Sequence, residues 1–129
     1  MLVAVGALAC SSGGTGSGGL VQSGPVTLQD VQLSVFTPRC ATSGCHDASG
    51  AFGLDLRSGQ SYGNLVGVSS AELPAFDRIE PGNALDSYLF MKVTDDARIQ
   101  GDPMPASGSG LNANQLQMLA SWIADGANP

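Results

Sequence analysis

The sequence predicts an all-α domain of about four short helices joined by long Gly- and Pro-rich loops. Three observations carry this prediction. Apolar residues recur at helical spacing after Thr27 and again after Asn112, and a capping box opens each of these runs. No stretch alternates apolar and polar residues with the period of two that a half-buried strand requires.

The elements follow in order. Thr27 is a good N-cap, Asp30 completes its capping box, and Leu28, Val31 and Val35 share a face with Phe36 beside them. Pro38 is expected to end this first helix just before Cys40. Asp47 to Gly53 reads as a Gly-rich loop, and Leu54-Asp55-Leu56 follows it. A short helix is expected from about Gly59 to Val66, carrying Tyr62 and Leu65. Ser69 to Gly82 is irregular, punctuated by Pro74 and Pro81. A third helix is expected from about Ala84 to Thr94, with Leu85, Tyr88 and Leu89 on one face. Gln100 to Gly110 holds Pro103, Pro105 and three glycines and must be loop. Asn112 and Gln115 then open the clearest helix, whose apolar face is Leu116, Leu119, Trp122 and Ile123 and whose stop is Gly126.

Between the first helix and the first loop lies Cys40-Ala-Thr-Ser-Gly-Cys45-His46. Two nearby cysteines, with a histidine immediately following Cys45, resemble a covalent attachment site for c-type haem. In such a site the thiols add to the two vinyl groups and the adjacent imidazole is held against the iron. The usual form is C-x2-C-H, whereas this spacer is two residues longer, and Gly44 supplies backbone freedom for the bulge. His46 is the sole histidine of the chain.

The ends of the chain point to a compartment. MLVAVGALAC is too short to span a bilayer but fits the apolar region of a secretory signal, so residues 1–9 read as a signal-peptide remnant. No basic residue precedes it, which points to a start further upstream than Met1. Ala7-Leu8-Ala9-Cys10 resembles a bacterial lipobox, with Cys10 lipidated. It also satisfies an ordinary signal-peptidase site, which would leave an incidental free thiol. Residues 10–24 are a Ser/Thr/Gly tether that cannot bury apolar area, and residues 25–129 are the domain. The expected location is extracytoplasmic, periplasmic or at the cell surface, with a membrane anchor through Cys10.

Composition narrows the partners. Net charge is −6, and the five basic residues Arg39, Arg57, Arg78, Lys92 and Arg98 are scattered, so nucleic-acid binding is not expected. An acidic surface suits docking to a basic patch on a protein partner, and equally suits plain solvation. With 18 glycines and 5% aromatic residues the core is modest, and a small loop-rich domain of this kind commonly needs a staple. A covalently held haem would supply one.

A haem iron with one histidine has a second axial position, which a methionine thioether can fill. Met91 and Met118 fall on expected helices, where core packing accounts for them. Met104 lies in Gly101-Asp-Pro-Met104-Pro105, a loop where no helix packing calls for a large apolar side chain.

An N-terminal helix, the Cys-Cys-His string, the Met-Pro loop and a last helix ending in WIADGA together resemble class I c-type cytochromes. The chain is most similar to the small secreted cytochrome c-like lipoprotein domains of the planctomycete and myxobacterial type. The segments carrying the likeness are VFTPRCATSGCH, GLDLRSGQSYGNLV, RIEPGNALDSYLFMKV and GDPMPASGSGLNANQLQMLASWIADGA, which cover nearly all of residues 26–127. The resemblance implies a cytochrome c-like fold around one haem c attached through Cys40 and Cys45. It makes His46 the proximal ligand and Met104 the distal one. It also places Trp122 where the first and last helices cross, and implies an electron carrier, not an enzyme, whose partners are redox proteins. Arg39, Arg57 and Arg78 are candidates to pair with the haem propionates, and Tyr62 and Tyr88 to border the pocket. Three alternatives stay open: a disulfide-stapled, lipid-anchored binding or structural module without haem; a copper or zinc site using Cys40, Cys45, His46 and Met104; and a haem domain with a labile Met104 that senses gas or reduces peroxide.

Overall fold

A computed structural model describes residues 24–129. The expected signal remnant at 1–9, Cys10, and all of the 10–24 tether except Gly24 lie outside the described residues. Among the described residues there are four helices and no strand, so the domain is all-α: α1 (Leu28–Val31), α2 (Ser61–Leu65), α3 (Tyr88–Thr94) and α4 (Ala113–Ala124). No helix among them is long and apolar enough to cross a membrane.

α1 opens with the Thr27–Asp30 capping box and does not stop at Pro38. It continues as a wider, π-helical segment over Gln32–Cys40. The physical reason lies in the proline. Pro38 has no N–H to give to the carbonyl of Ser34, and its ring crowds that oxygen in an α-helix. Widening the turn relieves the crowding, and the Ser34 carbonyl accepts a hydrogen bond from Gln115 Nε2 of α4 at 2.8 Å. The same Gln115 side chain accepts from the backbone N–H of Asn112 at 3.0 Å to complete the α4 capping box. One glutamine therefore closes the start of the last helix and ties it to a backbone carbonyl of the first.

The core forms where these two helices meet. Val31, Val35, Phe36, Leu119, Trp122 and Ile123 are buried there with Leu56, Leu65 and Ile79. The Phe36 and Trp122 rings meet edge to face, 6.2 Å between centroids. α4 ends as its Gly126 requires: that residue takes φ +110° while its N–H donates to Ile123 O and the Ala127 N–H donates to Trp122 O.

α2 and α3 are shorter than the sequence pattern implies. At α3 the reason is local, because Asn83 accepts from the Asp86 N–H and folds residues 83–86 into a turn, so the helix begins only at Tyr88. Leu85, expected on a helix face, is consequently 71% exposed. The irregular stretch between α2 and α3 is ordered by isolated bridges, Val66 with Ile79 and Ser69 with Asp77. Gln32 ties α1 to this half of the molecule, donating to Leu56 O at 2.9 Å and accepting from Ser61 Oγ at 2.6 Å.

Candidate functional site

The Cys-Cys-His string leaves α1 and folds back on itself. The Cys45 N–H donates to Thr42 O, and Gly44 between them takes φ +80°, the positive value that a type II turn needs at its third residue. The His46 N–H then returns to Cys40 O at 3.1 Å. The four-residue spacer is thus absorbed into a closed loop that sets His46 back against Cys40.

His46 is further fixed by its ring. Nδ1 lies 3.2 Å from the carbonyl oxygen of Leu54. A carbonyl can only accept, so Nδ1 is the donor, and in the neutral imidazole this leaves the lone pair on Nε2. Leu54 is placed for this role because the Leu56 N–H pairs with His46 O at 2.9 Å, running the two segments side by side.

Cys40, His46 and Met104 line one pocket. Its apolar wall is Phe52, Leu54, Leu56, Leu65, Leu89 and Val93, and the free space, open mouth included, is about 700 Å³. Arg78, Tyr88, Glu72 and Lys92 supply the polar part of the lining. Met104 comes from the loop after α3 and is pinned by its backbone N–H, which donates to Lys92 O at 2.8 Å. Cys45 is exposed and is not part of this wall.

The other candidates separate cleanly. Tyr88 borders the pocket, whereas Tyr62 lines a different groove with Gln32 and Leu33. Of the three arginines, Arg57 is engaged by Asp55 at 2.7 Å, and Arg39 donates to the carbonyls of Ser109 and Gly110. Arg78 alone of the three lines the pocket, with its guanidinium donating to Asn64 O at 2.8 Å. Met91 is buried, and Met118 packs against the core.

Burial pushes the Cys40 thiol up to about 11, with the neighbouring Arg39 charge only partly opposing it. A thiol held protonated is a poor ligand for a small soft ion, which binds thiolate. Among the described residues no group of three or more His, Cys, Asp or Glu side chains is arranged around a metal-sized point.

Sequence reasoning missed Glu72 and Lys92. Lys92 is 7% exposed, and its ammonium donates to Glu72 Oε2 at 3.1 Å and to Gln100 O at 2.8 Å. Tyr88 donates its hydroxyl to the same Glu72 oxygen at 2.6 Å. Burial pushes the Glu72 carboxyl up, yet the bonds from Tyr88 and Lys92 outweigh it and hold the group below its usual range. The signal for Lys92 was its spacing, four residues after Tyr88 on a short helix and so on the same face. Glu72, in an irregular stretch, left no such signal. No protein-family model, curated protein or solved structure matches the chain.

Proposed function

We propose that the domain is a monohaem c-type cytochrome that carries single electrons outside the cytoplasm, tethered to a membrane through lipid on Cys10. The observation that carries this reading is the convergence of Cys40, His46 and Met104 on one apolar pocket, with the His46 Nδ1 proton committed to Leu54 O. A flat apolar macrocycle fits such a lining. Leucine, valine and phenylalanine side chains would cover it, and the His46 imidazole and the Met104 thioether would hold its iron. Bound haem would supply a one-electron couple whose potential is set by those ligands and by burial.

The chain's own contributions are attachment, orientation and exclusion of other ligands. Cys40 and Cys45 would hold the group covalently, each thiol adding its sulfur to one vinyl carbon and its hydrogen to the other, so that no oxidant is needed. The loop closed by the bond from His46 N to Cys40 O holds the imidazole beside the first attachment point. Cys45, exposed and outside the pocket wall, would supply the second attachment. Of the three candidate arginines, Arg78 would be the one to meet an acidic edge of the group, because it lines the pocket and Arg39 and Arg57 do not. Held by both His46 and Met104, the iron would have no site for a substrate, which favours electron transfer to a redox protein over chemistry on a bound substrate. The acidic surface, net −6, suits a partner with a basic face and disfavours nucleic acid.

The test is expression with a haem-attachment machinery, followed by a haem-stained denaturing gel and a visible spectrum. Haem that stays with the denatured chain, lost in His46→Ala and retained but high-spin in Met104→Ala, is the expected result. A folded, colourless protein with a bond between Cys40 and Cys45 would replace this reading with the disulfide-stapled module.

A further inference from the structure

Met104 stands in a loop without secondary structure, and a thioether is a weak ligand that a loop must hold in place if it is to stay on a metal. The described structure supplies that hold through a buried charge. Lys92 takes Met104 by its backbone, accepting the Met104 N–H at 2.8 Å, and takes the start of the same loop by its side chain, donating to Gln100 O at 2.8 Å. Gln100 is fixed a second time, because its N–H donates to the Tyr88 hydroxyl at 3.0 Å. Both anchors converge on Glu72 Oε2, which accepts from Tyr88 and from Lys92. Between the two anchors the loop turns at Gly101, whose φ of +68° is a backbone conformation that side-chain-bearing residues rarely adopt.

Burying a lysine costs several kcal/mol in lost hydration unless it is paired and hydrogen-bonded. An apolar residue at position 92 would pack the core without that penalty, so the ammonium calls for another explanation. We infer that Lys92, Glu72 and Tyr88 form a positioning network that clamps the 100–104 loop and so holds the Met104 sulfur in the pocket as the second axial ligand. This rests on the haem reading above. The three residues act through Met104 and supply no ligand themselves. Their effect is on how easily the sulfur yields its place to an outside ligand.

The experiment uses the full chain carrying attached haem, with imidazole as the competing ligand. Imidazole affinity is titrated by visible absorption for the parent, Glu72→Gln, Lys92→Met and Met104→Ala. Haem staining and the thermal midpoint are recorded for each. The expected result is covalent haem in all four, with Glu72→Gln and Lys92→Met binding imidazole about tenfold tighter than the parent, toward the Met104→Ala value. A role confined to stability would lower the thermal midpoint and leave that affinity unchanged, and this outcome overturns the inference while leaving the cytochrome reading intact. If Lys92→Met does not fold, Glu72→Gln decides, since its carboxyl is partly exposed and the substitution keeps its shape. A parent chain without covalent haem overturns the cytochrome reading and this inference together.

Discussion

The contact between α1 and α4 and the pocket lined by Cys40, His46 and Met104 are both apolar, but they are built differently. At the first, Val35, Phe36, Leu119, Trp122 and Ile123 are at most 1% exposed, and every one projects from a helical segment. At the second, Leu54, Leu89 and Val93 are only half-buried, Phe52 is 81% exposed, and much of the wall comes from loops. The hydrophobic effect is satisfied internally on one side and left partly open on the other. A domain with few aromatic residues thus places its largest side chains at the crossing of its terminal helices and leaves loops to carry the chemistry.

The comparison can be broken most sharply at Trp122. Trp122→Ala should cost about 3–5 kcal/mol, much of the stability of a small domain, and urea unfolding of the haem-free chain would measure it. A loss near that of a surface substitution would mean the helix crossing is not the stabilising half. The pocket side is probed by its thiols. A thiol lifted from 9.0 to about 11 carries about a hundredfold less thiolate at neutral pH. Cys40 should therefore be alkylated far more slowly than exposed Cys45 in the haem-free chain, as peptide mapping would show. The sign follows from the direction: Cys40 keeps its proton until the pH rises to about 11, so the gap narrows in alkali. Equal rates at pH 8 would mean the pocket wall opens freely.

Gln115 joins the two helices of the closed half. Gln115→Ala removes the capping box and leaves the Ser34 carbonyl without its partner, so about 1–2 kcal/mol should be lost in the same urea assay. A Gln115→Glu variant keeps the cap acceptor but not the donor to Ser34, and should fall between the two. The smallest effect should be a gain. Phe52 sits at φ +57°, where a bulky side chain is strained, so Phe52→Gly should stabilise the haem-free chain by about 0.5–1 kcal/mol. A loss instead would assign that ring a contact worth more than its backbone strain.

The closed half was legible in the sequence and the open half only in fragments. Capping boxes at Thr27 and Asn112, apolar residues at helical spacing and the Gly126 stop are local signals, and local interactions realise them. Pro38 misled because the helix widens into a π-helical segment around it instead of stopping. Leu85 misled because the turn set by Asn83 outweighs its helical spacing. In the pocket, His46 and Met104 stood out because their residue types have no structural excuse where they occur. Arg78 could not be chosen over Arg39 and Arg57, because the choice depends on which of them finds other partners first. Leu54 enters through its carbonyl and Glu72 through an irregular segment, and neither kind of contact leaves a pattern along a chain.

The bond from Gln115 to Ser34 has a consequence for the order of events in folding. Ser34 O can meet Gln115, and Phe36 can meet Trp122, only after α4 exists. Contacts of such long range must close the chain before they stabilise it, which slows folding relative to a bundle of sequential hairpins. A growing chain therefore keeps this crossing open until α4 is made. Throughout that interval the string from Cys40 to His46 lies at the end of an undocked helix, with both thiols accessible to whatever must reach them before the core closes.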